Sequence, residues 1–198
     1  MIPADFKAEA VVMGASAGAL DALSQILPAL PADYPLPILI VVHLPPDAKS
    51  LISDLFAPKC RIRVKEAEDK EDLRPGVAYL APPNYHLLVE SEGVLSLSSD
   101  EPEGFSRPAI NVLFESAADV YGSGLVGIIL TGASPDGANG LKAICDAGGL
   151  AIVQDATTAA SQAMPQAARE ACPTAQVMEL GGIVDVLRQL SVQTPHRW

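Results

Sequence analysis

The stretch Ala10-Val11-Val12-Met13-Gly14-Ala15-Ser16-Ala17-Gly18-Ala19-Leu20 decides the fold. Four apolar residues without alternation run into Gly14, and then the period changes. Leu20, Leu23, Ile26, Leu27 and Leu30 recur at helical spacing, which gives one buried helix face. A strand buried on both faces, a turn of small residues and an amphipathic helix form the opening of a parallel α/β unit. Pro28 shortens the helix, and Pro31, Pro35 and Pro37 mark a loop.

The alternation continues outward. Residues 36–42 are a second continuously apolar strand, 47–56 a helix and 62–64 a short strand. The charged run 66–72 reads as a solvated loop. Residues 77–80 are strand-like, and 86–90 and 94–98 flank Ser91-Glu92-Gly93 as a hairpin. A polar loop over 99–107, with Pro102 and Gly104, leads to a helix over 110–121. Strand 125–130, helix 141–147, strand 150–153, a helix over 159–171 interrupted near Pro165, strand 176–179 and helix 183–190 complete the chain. The pattern predicts a doubly wound, mostly parallel α/β sheet with helices on both faces and a local antiparallel hairpin. One domain is expected over 1–198, with its core at about 10–190.

Composition narrows the function. Of 198 residues, 49% are hydrophobic and 19% charged, enough apolar material for a full core. A net charge of −11 repels phosphate backbones and anionic membranes, so neither is an expected partner. The N-terminus lacks a basic segment followed by an apolar one, and a cytoplasmic protein is expected. Cys60, Cys145 and Cys172 are far apart and odd in number. They are expected to be buried free thiols, with no metal site and no cofactor.

Open α/β sheets bind ligands beyond the carboxyl ends of their strands. Gly14-Ala15-Ser16-Ala17-Gly18 follows the first strand, His43 the second, Thr131-Gly132-Ala133-Ser134-Pro135-Asp136-Gly137 the strand near 125–130, and Gln154-Asp155 the next. The pentapeptide fits G-x-S-x-G, a turn that exposes a nucleophilic oxygen and leaves helix N–H groups free for an oxyanion. Small residues there also suit ordinary strand–helix packing. His43 is placed to act as base, and a carboxylate must fix its tautomer. Asp136, wrapped in glycines, is favoured; Asp155 is the alternative, although it could instead cap the next helix. His86 reads as a hairpin residue and His196 as part of the tail.

These residues resemble the chemotaxis protein-glutamate methylesterases, the CheB family. The likeness lies in Val12-Met13-Gly14-Ala15-Ser16-Ala17-Gly18, His43-Leu44-Pro45-Pro46, residues 76–82 with His86-Leu87, and residues 107–114. It continues in Leu130-Thr131-Gly132 with Asp136-Gly137 and Gly140, in Gln154-Asp155, and in Ala163-Met164-Pro165. The order is that of the family, over about 11–190. The resemblance implies a catalytic triad of Ser16 as nucleophile, His43 as base and Asp136 as orienting acid, without cofactor. It implies hydrolysis of glutamyl methyl esters on a chemoreceptor and deamidation of receptor glutamines. The sequence departs from the family at Ala17, where Thr is usual, at Ala19, where Gly is usual, and at Ala133-Ser134, where Met-Gly is usual. Backbone N–H groups of Ala17 and Ala133 could still line an oxyanion hole, since that role needs no side chain.

Only nine residues precede the first strand, so the receiver domain common in the family is not expected in this chain. The site would then be either constitutively open or gated by a receiver-domain protein in trans, and Leu44, Pro45, Pro46 and Met164 are candidates for a partner-binding surface. Two other readings compete. A catalytically weak binding module of the same fold is opposed by the presence of all three triad residues. An NAD(P)-dependent oxidoreductase would need an acidic residue or Arg where His43 stands, and no tyrosine starts a Tyr-x-x-x-Lys motif.

Overall fold

The computed structural model describes residues 2–3, 5–43 and 52–193. Ala10–Ala15 forms β1 and Ala19–Ile26 forms α1. A turn of 3-10 helix at Leu27–Ala29, with Pro28 in its first positions, closes that helix. Then come β2 (Ile38–Val42), α2 (Ile52–Phe56), β3 (Arg63–Glu66) and β4 (Val77–Leu80). The hairpin is β5 (His86–Glu90) and β6 (Val94–Ser98), followed by α3 (Ile110–Tyr121). The second half holds β7 (Leu125–Ile129), α4 (Ala138–Asp146), β8 (Leu150–Gln154), α5 (Ala163–Ala171), β9 (Gln176–Met178) and α6 (Leu180–Gln193).

Seven strands make one sheet in the order β3-β4-β2-β1-β7-β8-β9, and its pairings are parallel. The hairpin β5-β6 forms a separate antiparallel sheet packed on α3. The predicted fold class therefore stands, with the hairpin beside the main sheet rather than in it. Chain order reverses on either side of β1: β2 lies next to it on one flank and β7 on the other. That is the switch point where an open parallel sheet leaves a crevice between diverging loops.

Side chains alternate across the sheet into two apolar layers. Val11, Met13 and Ala15 of β1 join one layer with Leu23 and Ile26 of α1 and Ile183 and Leu187 of α6. Ala10 and Val12 join the other with Ile110, Leu113 and Phe114 of α3, Leu141 of α4 and Met164 of α5. Each fully buried Ile or Leu stabilises the fold by roughly 1.5–3 kcal/mol relative to exposure, so these layers account for much of the driving force.

Element ends differ from expectation, most clearly in α4 and α5. α4 begins at Ala138, before the predicted 141, and Gly140 in its first turn is a packing residue. α5 begins only at Ala163, and Pro165 lies in its first turn, where a missing N–H costs nothing. The expectation of three free thiols is overturned: Cys145 and Cys172 form a disulfide between the C-terminal ends of α4 and α5. These helices pack side by side, which a 27-residue separation in sequence conceals. Cys60 is free, and burial raises its thiol pKa.

The contact between α3 and α4 depends on Gly140. A Cβ there would stand 2.6 Å from Phe114 Cβ and 3.1 Å from Asn111 Cα, atoms that cannot swing aside. Gly140→Ala is expected to cost about 1–3 kcal/mol by overpacking. Urea denaturation should show a lower midpoint with an unchanged slope.

Candidate active site

Three loops meet at the switch point. Ser16 is the residue immediately after β1. Its N–H donates to Thr131 O at 2.9 Å, which ties the turn to the end of β7, and its carbonyl accepts from Ala19 N–H at 2.9 Å, which closes the turn into α1. Gly18 has φ +85, and a Cβ on it would meet Ala160 Cβ at 2.6 Å. That position thus requires glycine for conformation and for space together. Ser16 is half-buried and Ala17 exposed.

His43 is the residue after β2, and its N–H donates to Ala15 O at 3.0 Å, in register with the end of β1. Ser16 and His43 therefore leave adjacent parallel strands at the same level. The His43 Nε2 lies 2.8 Å from Asp136 Oδ2. Of the two carboxylates weighed from the sequence, the structure brings Asp136 to the histidine. Asp155 instead accepts from Thr157 N–H and Thr157 Oγ1, both at 2.8 Å, and those bonds hold its carboxyl below the usual carboxylate range.

Asp136 is 7% exposed and held from behind by α3. Its Oδ2 also accepts from Ile110 N–H at 2.6 Å, and its Oδ1 accepts from Asn111 N–H at 3.0 Å. These are first-turn donors that the helix itself cannot satisfy, and the helix dipole favours an anion beside them. The approach is tight. A Cβ on Gly137 (φ +95) would meet Ile129 at 2.6 Å and Ile110 at 2.7 Å, and one on Gly14 would meet Ile110 at 2.4 Å. Glycine at 14 and 137 lets Ile110 press into the site's floor and fixes where the helix begins.

Two residues were not singled out from the sequence. Asn111 Oδ1 accepts the N–H groups of Gly137 and Gly140, both at 2.9 Å, while its Nδ2 donates to Glu103 Oε1 at 2.9 Å. It joins the start of α3 to the start of α4, on either side of Asp136. Thr131 is the second: its Oγ1 donates to Ala17 O at 2.7 Å and accepts from Ser161 N–H at 2.9 Å, and its N–H donates to Gln154 Oε1 at 2.9 Å. A buried hydroxyl with backbone partners on two loops is a signal that only the folded chain reveals. His86 is a hairpin residue, as read; its Nδ1 accepts from Ala109 N–H at 3.2 Å and its Nε2 donates to Glu101 O at 3.1 Å.

Of the residues expected to form a partner surface, Met164 is fully buried against Gly132, where a Cβ would lie 2.6 Å from its sulfur. Its apolar side chain closes the floor of the loop after β7 and offers nothing to a partner. Leu44, Pro45 and Pro46 lie outside the described residues. Ala133, like Ala17, is exposed at the rim. On α3, burial, then Glu103, Asp119 and Asp136, raise the carboxyl pKa of Glu115. Among the described residues no cluster of metal-ligating side chains occurs, and no helix is long and apolar enough to cross a membrane.

Comparisons with known proteins show the family and the fold. Residues 11–187 match the family model described as CheB methylesterase. A Leptospira interrogans protein is 46% identical over 92% of this chain and 94% of its own length; it is provisionally named protein-glutamate methylesterase/protein-glutamine glutaminase. A Symbiobacterium thermophilum protein of that name, without qualification, is 38% identical over 89% of this chain but only 49% of its own length. The crystal structure of the Thermotoga maritima CheB methylesterase catalytic domain superposes with a TM-score of 0.88 at 32% identity, covering 93% of this chain and 99% of that one.

Removing Asn111's side chain should loosen the whole floor. Asn111→Ala leaves two buried N–H groups unpaired, at about 1–3 kcal/mol each. Thermal unfolding should show a loss of about 2–5 kcal/mol, well beyond that of an exposed Asn139→Ala control.

Proposed function

The chain belongs to the CheB methylesterase family, and from that premise we propose that it hydrolyses glutamyl methyl esters of a chemoreceptor, and deamidates receptor glutamines, through Ser16, His43 and Asp136. The observation that carries the reading is the 2.8 Å contact of His43 with Asp136, one strand away from the serine turn.

The chemistry follows from which nitrogen is used. Asp136 takes His43 Nε2, so Nε2 carries the hydrogen and Nδ1 is left as the base. Nδ1 accepts the Ser16 hydroxyl proton as Oγ attacks the ester carbonyl. Backbone N–H groups of Ala17 and Ala133 hold the resulting oxyanion, with no demand on their side chains. The intermediate collapses, and His43 returns the proton to the departing methoxide, which leaves as methanol. Water then attacks the acyl-enzyme, giving its proton to Nδ1, and the receptor glutamate is released with Ser16 restored. A glutamine side chain follows the same course with ammonia as leaving group.

The imidazolium formed midway is paired with a carboxylate that already accepts two backbone N–H groups, so Asp136 need not move during the reaction. Methylated receptor as substrate and a cytoplasmic location belong to the same proposal, and the family relationship supports them.

Ser16→Ala should reduce methanol release from methylated receptor to background while leaving thermal unfolding unchanged. Asp136→Asn should lower turnover by on the order of 10⁴, because an amide at this position can stabilise the wrong imidazole tautomer. Asp155→Asn should change it by less than about tenfold, since that residue caps a turn. Steady-state kinetics of the three variants decide the assignment; greater damage from Asp155→Asn would transfer the role to the other carboxylate.

A further inference from the structure

Six large apolar side chains are exposed among the described residues, and two of them are aromatic: Tyr85 and Phe105. Both stand on loops that hydrogen bonds tie to the start of α3, where Asp136 is held. Tyr85 precedes His86, whose ring is bonded to Ala109 N–H and Glu101 O. Ala109 is the cap of α3, and the next N–H, that of Ile110, holds the Asp136 carboxylate that meets His43. Phe105 lies five residues before Ile110, on the loop that Glu101 begins.

Phe105 is not a stray surface residue. It is fully exposed and has φ +68, in the left-handed region that disfavours a bulky side chain. The turn that imposes this conformation is braced at every corner. Glu103 and Ser106 exchange backbone hydrogen bonds of 3.1 and 2.9 Å, Asn111 Nδ2 grips Glu103, and an Arg107 guanidinium nitrogen donates to Ser99 O and Asp100 O, each at 2.9 Å. A strained backbone that presents an aromatic ring to solvent beside a reactive centre calls for an occupant.

The charge around the ring states the kind of occupant. Asp100 and Glu101 are exposed and Glu103 half-buried. Among the described residues no basic side chain forms a salt bridge with any of these three carboxylates. We propose that Tyr85 and Phe105, with Asp100 and Glu101, form the substrate-docking rim of this esterase, and that it grips a protein segment carrying an apolar side chain and Lys or Arg close to the reacting ester. The proposal rests on the esterase reading of the site. The acidic rim has a second consequence: it accepts a neutral ester and repels the carboxylate that hydrolysis creates, which favours release of product.

The test uses two alanine-based helical peptides, each with one glutamyl methyl ester and one leucine. One carries two lysines within a turn of the ester, the other two glutamates. Methanol release is measured with both, and turnover of p-nitrophenyl acetate is followed in parallel. The wild-type chain should favour the lysine peptide in kcat/KM by about tenfold or more, with the preference falling as salt is raised. Phe105→Gly should lose about tenfold in kcat/KM on the lysine peptide, mainly through KM. It should keep p-nitrophenyl acetate turnover and gain thermal stability, because glycine relieves the left-handed backbone. The double variant Asp100→Asn/Glu101→Gln should erase the preference between the peptides. Equal rates on the two peptides, or a Phe105→Gly protein with unchanged peptide kinetics, would overturn the rim. Equal losses on peptide and p-nitrophenyl acetate would reduce Phe105 to a structural role. Release of no methanol from either peptide would overturn the esterase reading, and the rim with it.

Discussion

The structure turns on one carboxylate at one helix end. Asp136 fills the first turn of α3, taking the N–H groups of Ile110 and Asn111, and presents the same Oδ2 to His43. Hydrogen bonds to a charged acceptor contribute roughly 1.5–3 kcal/mol each, and an unmet buried donor costs about 1–3 kcal/mol. Docking of α3 and orientation of the histidine are therefore one event. If the carboxylate were absent, the helix start would be left with unpaired donors and the imidazole without a fixed tautomer.

Everything near this contact makes room for it or braces it. Glycines at 14 and 137 admit Ile110 where any Cβ would collide. Asn111 carries the restraint onward to α4, and Thr131 ties the serine turn to the loop before α5. The parallel register of β1 and β2 supplies the remaining alignment, since it brings two successive strand ends to the same level. Ser16 and His43 need no long-range coincidence to be neighbours. Asp136 does, and the α3 contact supplies it.

This division explains what could be read from the chain. Buried strands without alternation and helices with one apolar face made the sheet legible, and motifs at strand ends located Ser16 and His43. The glycines around Asp136 favoured it over Asp155, for a reason the structure makes concrete: one carboxylate is buried under a helix end, the other closes a local turn. The bracing roles of Asn111 and Thr131 escaped notice because most of their partners are backbone atoms distant in sequence. The disulfide escaped because helix packing, not spacing, brings Cys145 to Cys172. The start of α4 was placed late because sequence alone does not show the neighbouring helix that Gly140 admits.

The central claim is that Ser16 is activated by a histidine that Asp136 orients. Reaction with a fluorophosphonate, followed by peptide mass mapping, tests it most directly, because only an activated hydroxyl is phosphonylated at an appreciable rate. The account predicts a single adduct on Ser16, formed on the order of 10⁴ more slowly in Asp136→Asn. An adduct on another residue, or equal labelling rates in both proteins, would contradict it.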